Sequence, residues 1–308
     1  MTKKVSIVIP VFNEVQNIDF IAKKLLAESL KLNYVFEFIF IDDGSVDGTL
    51  EKIQNLIATN TQISFIQLSR NFGHQNALKA GYDFATGDCI ISMDGDMQHP
   101  PEMIGLMLEK WESGFDIVST QRTYPKTTGS LKKSGSDLFY KINNILSDTK
   151  LEKGSSDFRL IDRSVAITLS GLNENGIFMR GLIQWLGFKT ATIAFNANER
   201  YAGQSKYPFK KMLKFAVEGI TAFSIKPLHM AIYLGFTFSI LSLIYIPFVI
   251  YEHYQGQDIP GWATVVVAIM FLGGLQLIIL GIIGIYIGKL FIQSKQRPNY
   301  IVRTTNLK

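Results

Sequence analysis

Short apolar segments alternate with amphipathic segments along the first 120 residues of the chain. Five apolar runs have the length and composition of buried strands: 5–9, 36–41, 63–68, 89–93 and 115–120. The segments between them have the pattern of helices: 15–30, 48–59, 74–85 and 101–113. Strand–helix alternation at this spacing predicts an α/β fold with a mainly parallel sheet, covered by helices on both faces.

Two later stretches, residues 228–251 and 262–288, contain no Asp, Glu, Lys or Arg. A helix needs roughly 20 apolar residues to cross the hydrocarbon core of a bilayer, and both stretches are long enough. Buried core helices are the alternative, but uncharged runs of this length are rare in water-soluble cores. We therefore predict two transmembrane helices.

The charges around these stretches predict an orientation. Residues 252–261 carry two acidic residues and no Lys or Arg, whereas Lys and Arg residues flank the two stretches on their other sides. By the positive-inside rule, we expect both termini in the cytoplasm and the short loop outside the cell membrane. The formal net charge of +5 is explained by basic residues beside anionic lipid, so nucleic acid is not an expected partner.

Lysines and apolar residues mix in two further segments, 129–149 and 206–227. The mixture is typical of amphipathic helices at a membrane surface, although helices packed on the sheet show it too. The predicted organisation is therefore a cytoplasmic catalytic domain with one interfacial helix, a juxtamembrane helix, a transmembrane hairpin and a cytoplasmic tail: 1–205 (including 129–149), 206–227, 228–288 and 289–308.

The candidate chemistry begins at Asp94 and Asp96, which follow an apolar run with one glycine between them. Two carboxylates this close repel each other unless a cation lies between them, and Mg²⁺ or Mn²⁺ prefers such oxygen ligands. Gln98 offers a further oxygen in the same direction. Because ligands bind beyond the carboxyl ends of parallel strands, we expect "PVFNE" (10–14) and "DDGS" (42–45) to converge on the pair.

A cation held by carboxylates can offset the charge of a departing diphosphate, which predicts transfer from a nucleotide-linked donor. The chain lacks the glycine-rich signatures GxxxxGK[ST] and GxGxxG, so ATPase and dehydrogenase functions are not expected.

Six motifs carry a family resemblance: "SIVIPVFNE", "FIDDGSVDGT", "LSRNFGHQNALKAG", "MDGDMQHPPE", "DFRLIDR" and "NERYAGQSKY". With the two apolar stretches that follow them, they resemble the polyprenyl-phosphate glycosyltransferases of family 2, such as dolichyl-phosphate mannose synthase and bacterial polyprenyl-phosphate glucosyltransferases. The resemblance implies a GT-A fold and an inverting hexosyltransferase. It also implies transfer of a sugar from UDP, or less readily GDP, to undecaprenyl or dolichyl phosphate, in cell-envelope glycosylation.

The resemblance also implies roles for particular residues. The catalytic residues would be Asp94, Asp96 and Asp157. The residues that bind the metal ion, Mg²⁺ or Mn²⁺, would be Asp94, Asp96 and Gln98. The nucleotide-sugar set is Pro10, Phe12, Glu14, Asp42, Asp43 and Asp94. The acceptor-phosphate set is Arg122, Lys132, Lys133, Arg200 and Lys206. Relatives often have an arginine where this chain has the two adjacent lysines.

Plainer interpretations remain open at several of these positions. Asp42 and Asp43 could cap the "DDGS" turn, Arg122 could be a surface charge at a strand end, and Arg200 and Lys206 could be solvated charges beside the membrane. Asp157 could form a structural salt bridge with Arg159 or Arg163.

Two other functions compete with the transferase prediction. A processive polysaccharide synthase would normally carry a QxxRW motif and more spans, whereas "RGLIQWLG" (180–187) has those residue types in another order. A non-catalytic membrane scaffold or flippase component is the other alternative. Glycines in the second apolar stretch favour helix packing, within the chain or in a homo-oligomer. The sugar, the polyprenyl length and the choice between Mg²⁺ and Mn²⁺ are not determined.

Overall fold

The computed structural model describes four ranges of the chain: residues 2–123, 155–196, 224–254 and 261–307. The predicted interfacial helix at 129–149 and residues 206–223 of the predicted juxtamembrane segment lie outside these ranges.

Strands and helices alternate through the first described range, as the pattern of apolar residues predicts. The strands of the structure are β1 (Lys4–Val11), β2 (Val35–Asp42), β3 (Ile63–Leu68), β4 (Cys89–Ser92), β5 (Ile117–Thr123), β6 (Ser155–Asp162), β7 (Thr190–Asn196) and β8 (Val302–Thr305). The helices are α1 (Ile18–Ser29), α2 (Thr49–Ile57), α3 (His74–Phe84), α4 (Met103–Glu112), α5 (Arg163–Ser170), α6 (Met179–Trp185), α7 (Lys226–Tyr254) and α8 (Trp262–Ser294).

All eight strands form one sheet in the order β7-β5-β6-β4-β1-β2-β3-β8. The pairs β1–β2, β1–β4, β2–β3 and β5–β7 are parallel. Strand β6 runs antiparallel to both β4 and β5, and β8 runs antiparallel to β3. The predicted mainly parallel α/β sheet is therefore confirmed, whereas β6, β7 and β8 were not predicted.

Helices cover both faces of the sheet because successive side chains of a strand point to opposite faces. On β1, Ile7 and Ile9 pack into a core with α1 and α4, while Val8 between them packs into a second core with α3, α5 and α6. These residues are fully buried. Burial on both faces explains why the strands read as continuous apolar runs rather than as alternating ones.

The C-terminal residues return to the sheet, although they were predicted only as a tail. Beside β8, the Ser69 backbone N–H donates to the Ile301 carbonyl at 2.8 Å, and the Phe65 N–H donates to Asn306 Oδ1 at 2.7 Å. The Tyr300 hydroxyl donates to Asp83 Oδ2 on α3 at 2.8 Å. The segment after α8 is thus part of the same sheet as the N-terminal strands.

Helices α7 and α8 lie where the two charge-free stretches predicted spans, and each is long and apolar enough to cross a membrane. Their apolar side chains are largely exposed, as expected for surfaces that require an apolar environment. The rings of Phe238 and Phe271 meet edge to face with centroids 5.5 Å apart. Near the end of α8, Gln293 Nε2 donates to the Asn173 carbonyl at 2.8 Å, so this helix also contacts the segment after α5.

Candidate active site

The two sequence-predicted carboxylates lie just beyond the carboxyl end of β4. The Met93 N–H donates to the Val8 carbonyl at 3.1 Å, which extends the pairing with β1 by one residue and leaves Asp94 at the edge of the sheet. A Cβ on Gly95 would lie 2.8 Å from Val11 Cγ1, so the turn between Asp94 and Asp96 approaches β1 too closely for a side chain. This close approach fixes where the turn presents its carboxylates.

The side chain of His99 fixes the backbone of the same turn through a hydrogen bond. Its Nδ1 accepts the Asp94 backbone N–H at 2.9 Å, and its Nε2 lies 2.9 Å from Ser156 Oγ. The ring is buried and stacks on Phe158 with centroids 5.0 Å apart. With both ring nitrogens in contact with protein groups, His99 shapes the loop.

Gln98 connects the carboxylate pair with the first of the predicted acceptor-phosphate residues. Its backbone N–H donates to Asp96 Oδ1 at 3.1 Å. With the amide oriented to satisfy its neighbours, the side chain donates to Asp96 Oδ2 at 3.3 Å and accepts from Arg122 Nη2 at 3.0 Å. Arg122, on β5, is therefore held beside the pair, and its position is not that of an isolated surface charge.

Asp157, on β6, is buried and bound by two arginines. Arg159 Nη2 donates to its Oδ1 at 2.7 Å, and Arg180 donates to Oδ1 through Nε at 3.1 Å and to Oδ2 through Nη2 at 2.9 Å. Burial alone would raise the pKa of this carboxyl, but Arg180, His74 and Arg159 hold the pKa well below its usual range. The salt bridge with Arg159 is thus present, whereas Arg163 donates to the Ala85 carbonyl instead.

His74, the first residue of α3, lies between two of these carboxylates. Its Nε2 is 3.3 Å from Asp94 Oδ1 and 3.7 Å from Asp157 Oδ2. Desolvation lowers the pKa of His74, but the two carboxylates outweigh it and raise the pKa to about 9, so the ring is protonated at neutral pH. Sequence reasoning missed this residue, although it lies within the quoted motif "LSRNFGHQNALKAG".

Asp42 and Asp43, at the end of β2, accept hydrogen bonds from the backbone of two nearby loops. Both oxygens of Asp43 accept backbone N–H groups, from Phe72 at 2.7 Å and Gly73 at 2.9 Å, which positions the entry into α3. Asp42 Oδ1 accepts the Ser45 N–H at 3.0 Å, as the turn-capping alternative expected, but its Oδ2 is buried without a hydrogen bond. Burial raises the pKa of both carboxyls.

The other predicted nucleotide-pocket residues lie at the same edge. Pro10 is buried in β1, and Phe12, just beyond the end of this strand, is 44% exposed. Glu14 accepts a hydrogen bond from Asn17 Nδ2, and its backbone N–H donates to Thr49 Oγ1 at 2.9 Å. The predicted convergence of the three polar clusters at one sheet edge is what the structure shows.

Comparison with known proteins identifies the family. The model of the family described as "Glycosyl transferase family 2" matches residues 6–169. The chain belongs to this family. It is 40% identical over 98% of its length to "Uncharacterized glycosyltransferase sll0501" of Synechocystis, covering 95% of that protein. It is 38% identical over 99% of its length to the "Bactoprenol glucosyl transferase" of Shigella phage SfV, covering 100% of that protein. The predicted resemblance is therefore confirmed.

Solved structures give a more distant likeness. One is glucosyl-3-phosphoglycerate synthase from Mycobacterium tuberculosis in complex with Mn²⁺, UDP and product, at 15% identity and a TM-score of 0.45, covering 71% of this chain and 78% of that one. Another is the mannosyltransferase PcManGT from Pyrobaculum calidifontis in complex with GDP-Man and Mn²⁺, at 16% identity and a TM-score of 0.45, covering 83% and 85%. The GT-A-like fold of this family 2 glycosyltransferase follows from the family match and its sheet.

Part of the predicted acceptor site is not described. Lys132, Lys133, Arg200 and Lys206 lie outside the described residues. Arg122 is the member of that set whose position is given.

The donor atoms around Asp94 fit a hard divalent cation. Within the described ranges, no three His, Cys, Asp or Glu side chains form a preformed metal cluster. Asp94 Oδ1, however, is buried, and although it forms an ion pair with the His74 ring at 3.3 Å, it accepts no hydrogen bond. The Asp96 carboxylate is two residues further along the chain. Mg²⁺ is usually bound through one or two carboxylates and completes its shell with water and substrate phosphates. Two carboxylates with an unsatisfied oxygen therefore suit this ion in the family 2 glycosyltransferase.

Proposed function

We propose that this family 2 glycosyltransferase transfers a hexose from a nucleotide sugar to a polyprenyl phosphate, with UDP-glucose as the first donor to test. Relatives named bactoprenol glucosyl transferase support this substrate pair, because the similarity to the phage SfV protein covers 99% of the chain and includes both long apolar helices. UDP is favoured over GDP, since glucose is the sugar in the names of these relatives.

One observation carries the proposal. At a single edge of the sheet, the turn from Asp94 to Asp96 presents two carboxylates, and Asp94 has a buried oxygen that accepts no hydrogen bond and pairs with His74. Gln98 joins Asp96 to Arg122. Two anionic substrates can approach each other only if their charges are compensated. Carboxylates that bind a cation and a guanidinium in a fixed position can provide this compensation. Two unit charges about 4 Å apart interact by roughly 4 kcal/mol at an effective dielectric of about 20, so uncompensated phosphates would repel strongly.

The acceptor supplies its own nucleophile in this reaction. A phosphate monoester has a second pKa of about 6 and is therefore mostly dianionic at pH 7. Its oxygen attacks the anomeric carbon, the bond from that carbon to the diphosphate breaks, and the configuration inverts. A strong general base is unnecessary, which agrees with the engagement of both His99 ring nitrogens by protein groups.

Mg²⁺ or Mn²⁺ would be held by Asp94 and Asp96, and would supply Lewis-acid stabilisation of the developing charge on the diphosphate. Gln98, predicted as a third ligand, would instead hold Arg122 beside them, because its amide oxygen accepts from Arg122 and its NH2 group donates to Asp96. Pro10, Phe12, Glu14, Asp42 and Asp43 would line the nucleotide pocket. Arg122 would orient the acceptor phosphate, together with Lys132, Lys133, Arg200 and Lys206. Asp157, predicted to act near the donor sugar, would act there through Arg180, because it is buried and both of its oxygens are bound by arginines.

The connectivity supports a membrane hairpin. Strand β8 follows α8 in the chain and pairs with β3, which precedes α7. The catalytic sheet and the end of α8 must therefore lie on one side of the bilayer if both long helices cross it. The distribution of Lys and Arg favours the cytoplasm as that side.

Transfer assays on the full chain test the proposal. The protein in lipid nanodiscs is incubated with labelled UDP-glucose, undecaprenyl phosphate and Mn²⁺ or Mg²⁺. We expect a labelled glycolipid and stoichiometric UDP release, both abolished by a chelator. A panel including UDP-galactose, UDP-N-acetylglucosamine and GDP-mannose decides the sugar. The absence of glycolipid from every donor would refute the proposed function.

A further inference from the structure

Arg180 has no role in the predicted site, yet it lies beside it. It is the second residue of α6, within the segment "RGLIQWLG". Its Nε and Nη2 contact both oxygens of Asp157, at 3.1 and 2.9 Å, so the guanidinium is held in one orientation. Its side chain remains 37% exposed.

The charge of Asp157 does not by itself require Arg180. Arg159 already pairs with this carboxylate at 2.7 Å, and both side chains are almost fully buried, at 2% and 5% exposure. One buried carboxylate and one buried guanidinium form a neutral pair. Arg180 is thus a second guanidinium on the same carboxylate, and it is the one of the two whose side chain reaches the surface.

The position of Arg180 places that charge at the carboxylate edge of the sheet. Asp157 Oδ2 lies 2.9 Å from Arg180 Nη2 and 3.7 Å from His74 Nε2, and His74 lies 3.3 Å from Asp94. The start of α6 is fixed in turn because the Met179 N–H donates to Gln75 Oε1 at 2.9 Å. A short series of contacts thus joins Arg180 to the proposed metal-binding carboxylate.

We propose that Arg180 binds a phosphate oxyanion of one of the two substrates, with Asp157 as the residue that positions its guanidinium. The inference rests on the proposed function, because only that function brings two phosphate compounds to this edge. A guanidinium fixed by a bidentate carboxylate contact recognises phosphate oxygens with defined geometry, which a lysine ammonium does not. The source of the oxyanion is either the donor diphosphate or the lipid phosphate.

Substitution separates this role from a structural one. Arg180→Met removes the charge, and Arg180→Lys keeps the charge but lacks the planar set of N–H donors of a guanidinium. Arg159→Met is the matched control, since it removes the other partner of the same carboxylate from a position that substrate cannot reach. Arg163→Met, whose arginine contacts the Ala85 carbonyl, controls for loss of an arginine outside the site. Each full-length variant in nanodiscs is assayed with UDP-glucose and undecaprenyl phosphate varied in turn, and its unfolding midpoint is measured.

We expect Arg180→Met to raise one KM by roughly 10- to 100-fold, the range for one charge-assisted hydrogen bond, with Arg180→Lys intermediate. A rise for UDP-glucose assigns the donor diphosphate, and a rise for undecaprenyl phosphate assigns the acceptor. We expect Arg159→Met mainly to lower the unfolding midpoint and Arg163→Met to leave both KM values unchanged. Unchanged KM values in both Arg180 variants, with a loss of stability like that of Arg159→Met, would overturn the proposal.

Isothermal titration calorimetry tests phosphate binding by Arg180 without relying on catalytic turnover. The same proteins are titrated with UDP in Mn²⁺ and, separately, with farnesyl phosphate. If the parent protein transfers no sugar, the proposed function fails, but a parent that binds either phosphate at least 10-fold more tightly than Arg180→Met still supports the role of Arg180. Equal affinities of the parent and Arg180→Met for both probes refute it.

Discussion

Charge alternates from one side chain to the next across the active site. Asp94, His74, Asp157 and Arg180 follow one another at contacts between 2.9 and 3.7 Å. In such a series each group compensates its neighbours, so the removal of one charge leaves its partners uncompensated in a partly buried place. Asp96 lies outside this series, because its carboxylate contacts Gln98.

Substitution of Asp96 by Asn should therefore abolish activity without unfolding the protein. We expect glycolipid formation to fall by at least about 100-fold, the usual loss for a group that stabilises transition-state charge, while the unfolding midpoint stays close to that of the parent. Asp19→Asn, an exposed carboxylate on α1, is the control and should retain full activity. Retained transfer in Asp96→Asn would contradict the metal assignment.

Asp157 should make stability depend on pH on the acid side. Its pKa is depressed in the folded protein, so its contribution is present above the unfolded value of about 3.9 and is lost as pH falls towards the folded value. We expect the unfolding midpoint of the parent to fall more steeply than that of Asp157→Asn as pH is lowered from about 5 to 3. Parallel curves for the two proteins over this range would exclude the predicted contribution.

At the scale of secondary-structure elements, α3 joins the site to the core. Its first residue, His74, contacts Asp94, and its last turn carries Asp83, which binds Lys79 at 2.6 Å and Tyr300 at 2.8 Å. Near the same end of the helix, Gly81 lies against Val8 of β1. A shift of this helix would move His74, so the close helix–strand contact matters for the site.

Gly81→Ala should destabilise the protein. The new Cβ would lie 2.9 Å from Val8 Cβ and 3.0 Å from Ile41 Cδ1, and overpacking of this kind costs about 1–3 kcal/mol. Gly105→Ala on α4 is the matched control, because the nearest atom there, Leu32 Cδ2, lies at an ordinary 3.5 Å. That variant should gain roughly 0.5–1 kcal/mol of helix stability. Unfolding midpoints of the two variants that shift in the same direction would contradict this contrast.

At the scale of the whole molecule, the C-terminal segment ties the second long helix to the catalytic sheet. Gln293 at the end of α8 contacts Asn173, and Tyr300 and β8 contact α3 and β3. The distance between the sheet and the end of α8 is thereby fixed by contacts at two places. For an acceptor whose phosphate lies at the headgroup level, such a connection would keep the site at a constant height above the bilayer.

Cysteine labelling tests the proposed hairpin. The single native cysteine, Cys89, is fully buried, so the parent chain provides an unlabelled background. We expect Gln257→Cys, between the two long helices, to react with a membrane-impermeant maleimide in intact cells, and Lys295→Cys to react only after permeabilisation. The reverse pattern would contradict the orientation, and equal labelling of both would contradict the hairpin.

The sequence predicted those parts of the structure that depend on local patterns. Five strands, four helices and the two long apolar helices follow from runs of apolar residues, and the position of Asp94 follows from its place after one such run. Family motifs added the neighbouring site residues. The antiparallel strand β6 and the returning strand β8 have no comparable run of apolar residues: β6 (SSDFRLID) is interrupted by charged residues, and β8 has only four residues. Both are fixed by their partner strands.

What the sequence alone determined is therefore the class of fold, the two apolar helices and the carboxylate pair at the sheet edge, because each depends on side chains close together in the chain. Only the tertiary structure decided which charges meet. Gln75 and Asp157 are 82 residues apart in sequence, and Thr305 and Phe65 are 240 apart, yet each pair is joined by a hydrogen bond. The pairing of His74 and Arg180 with Asp157 likewise required the strand order of the sheet, since only folding brings α3, β6 and α6 to one edge.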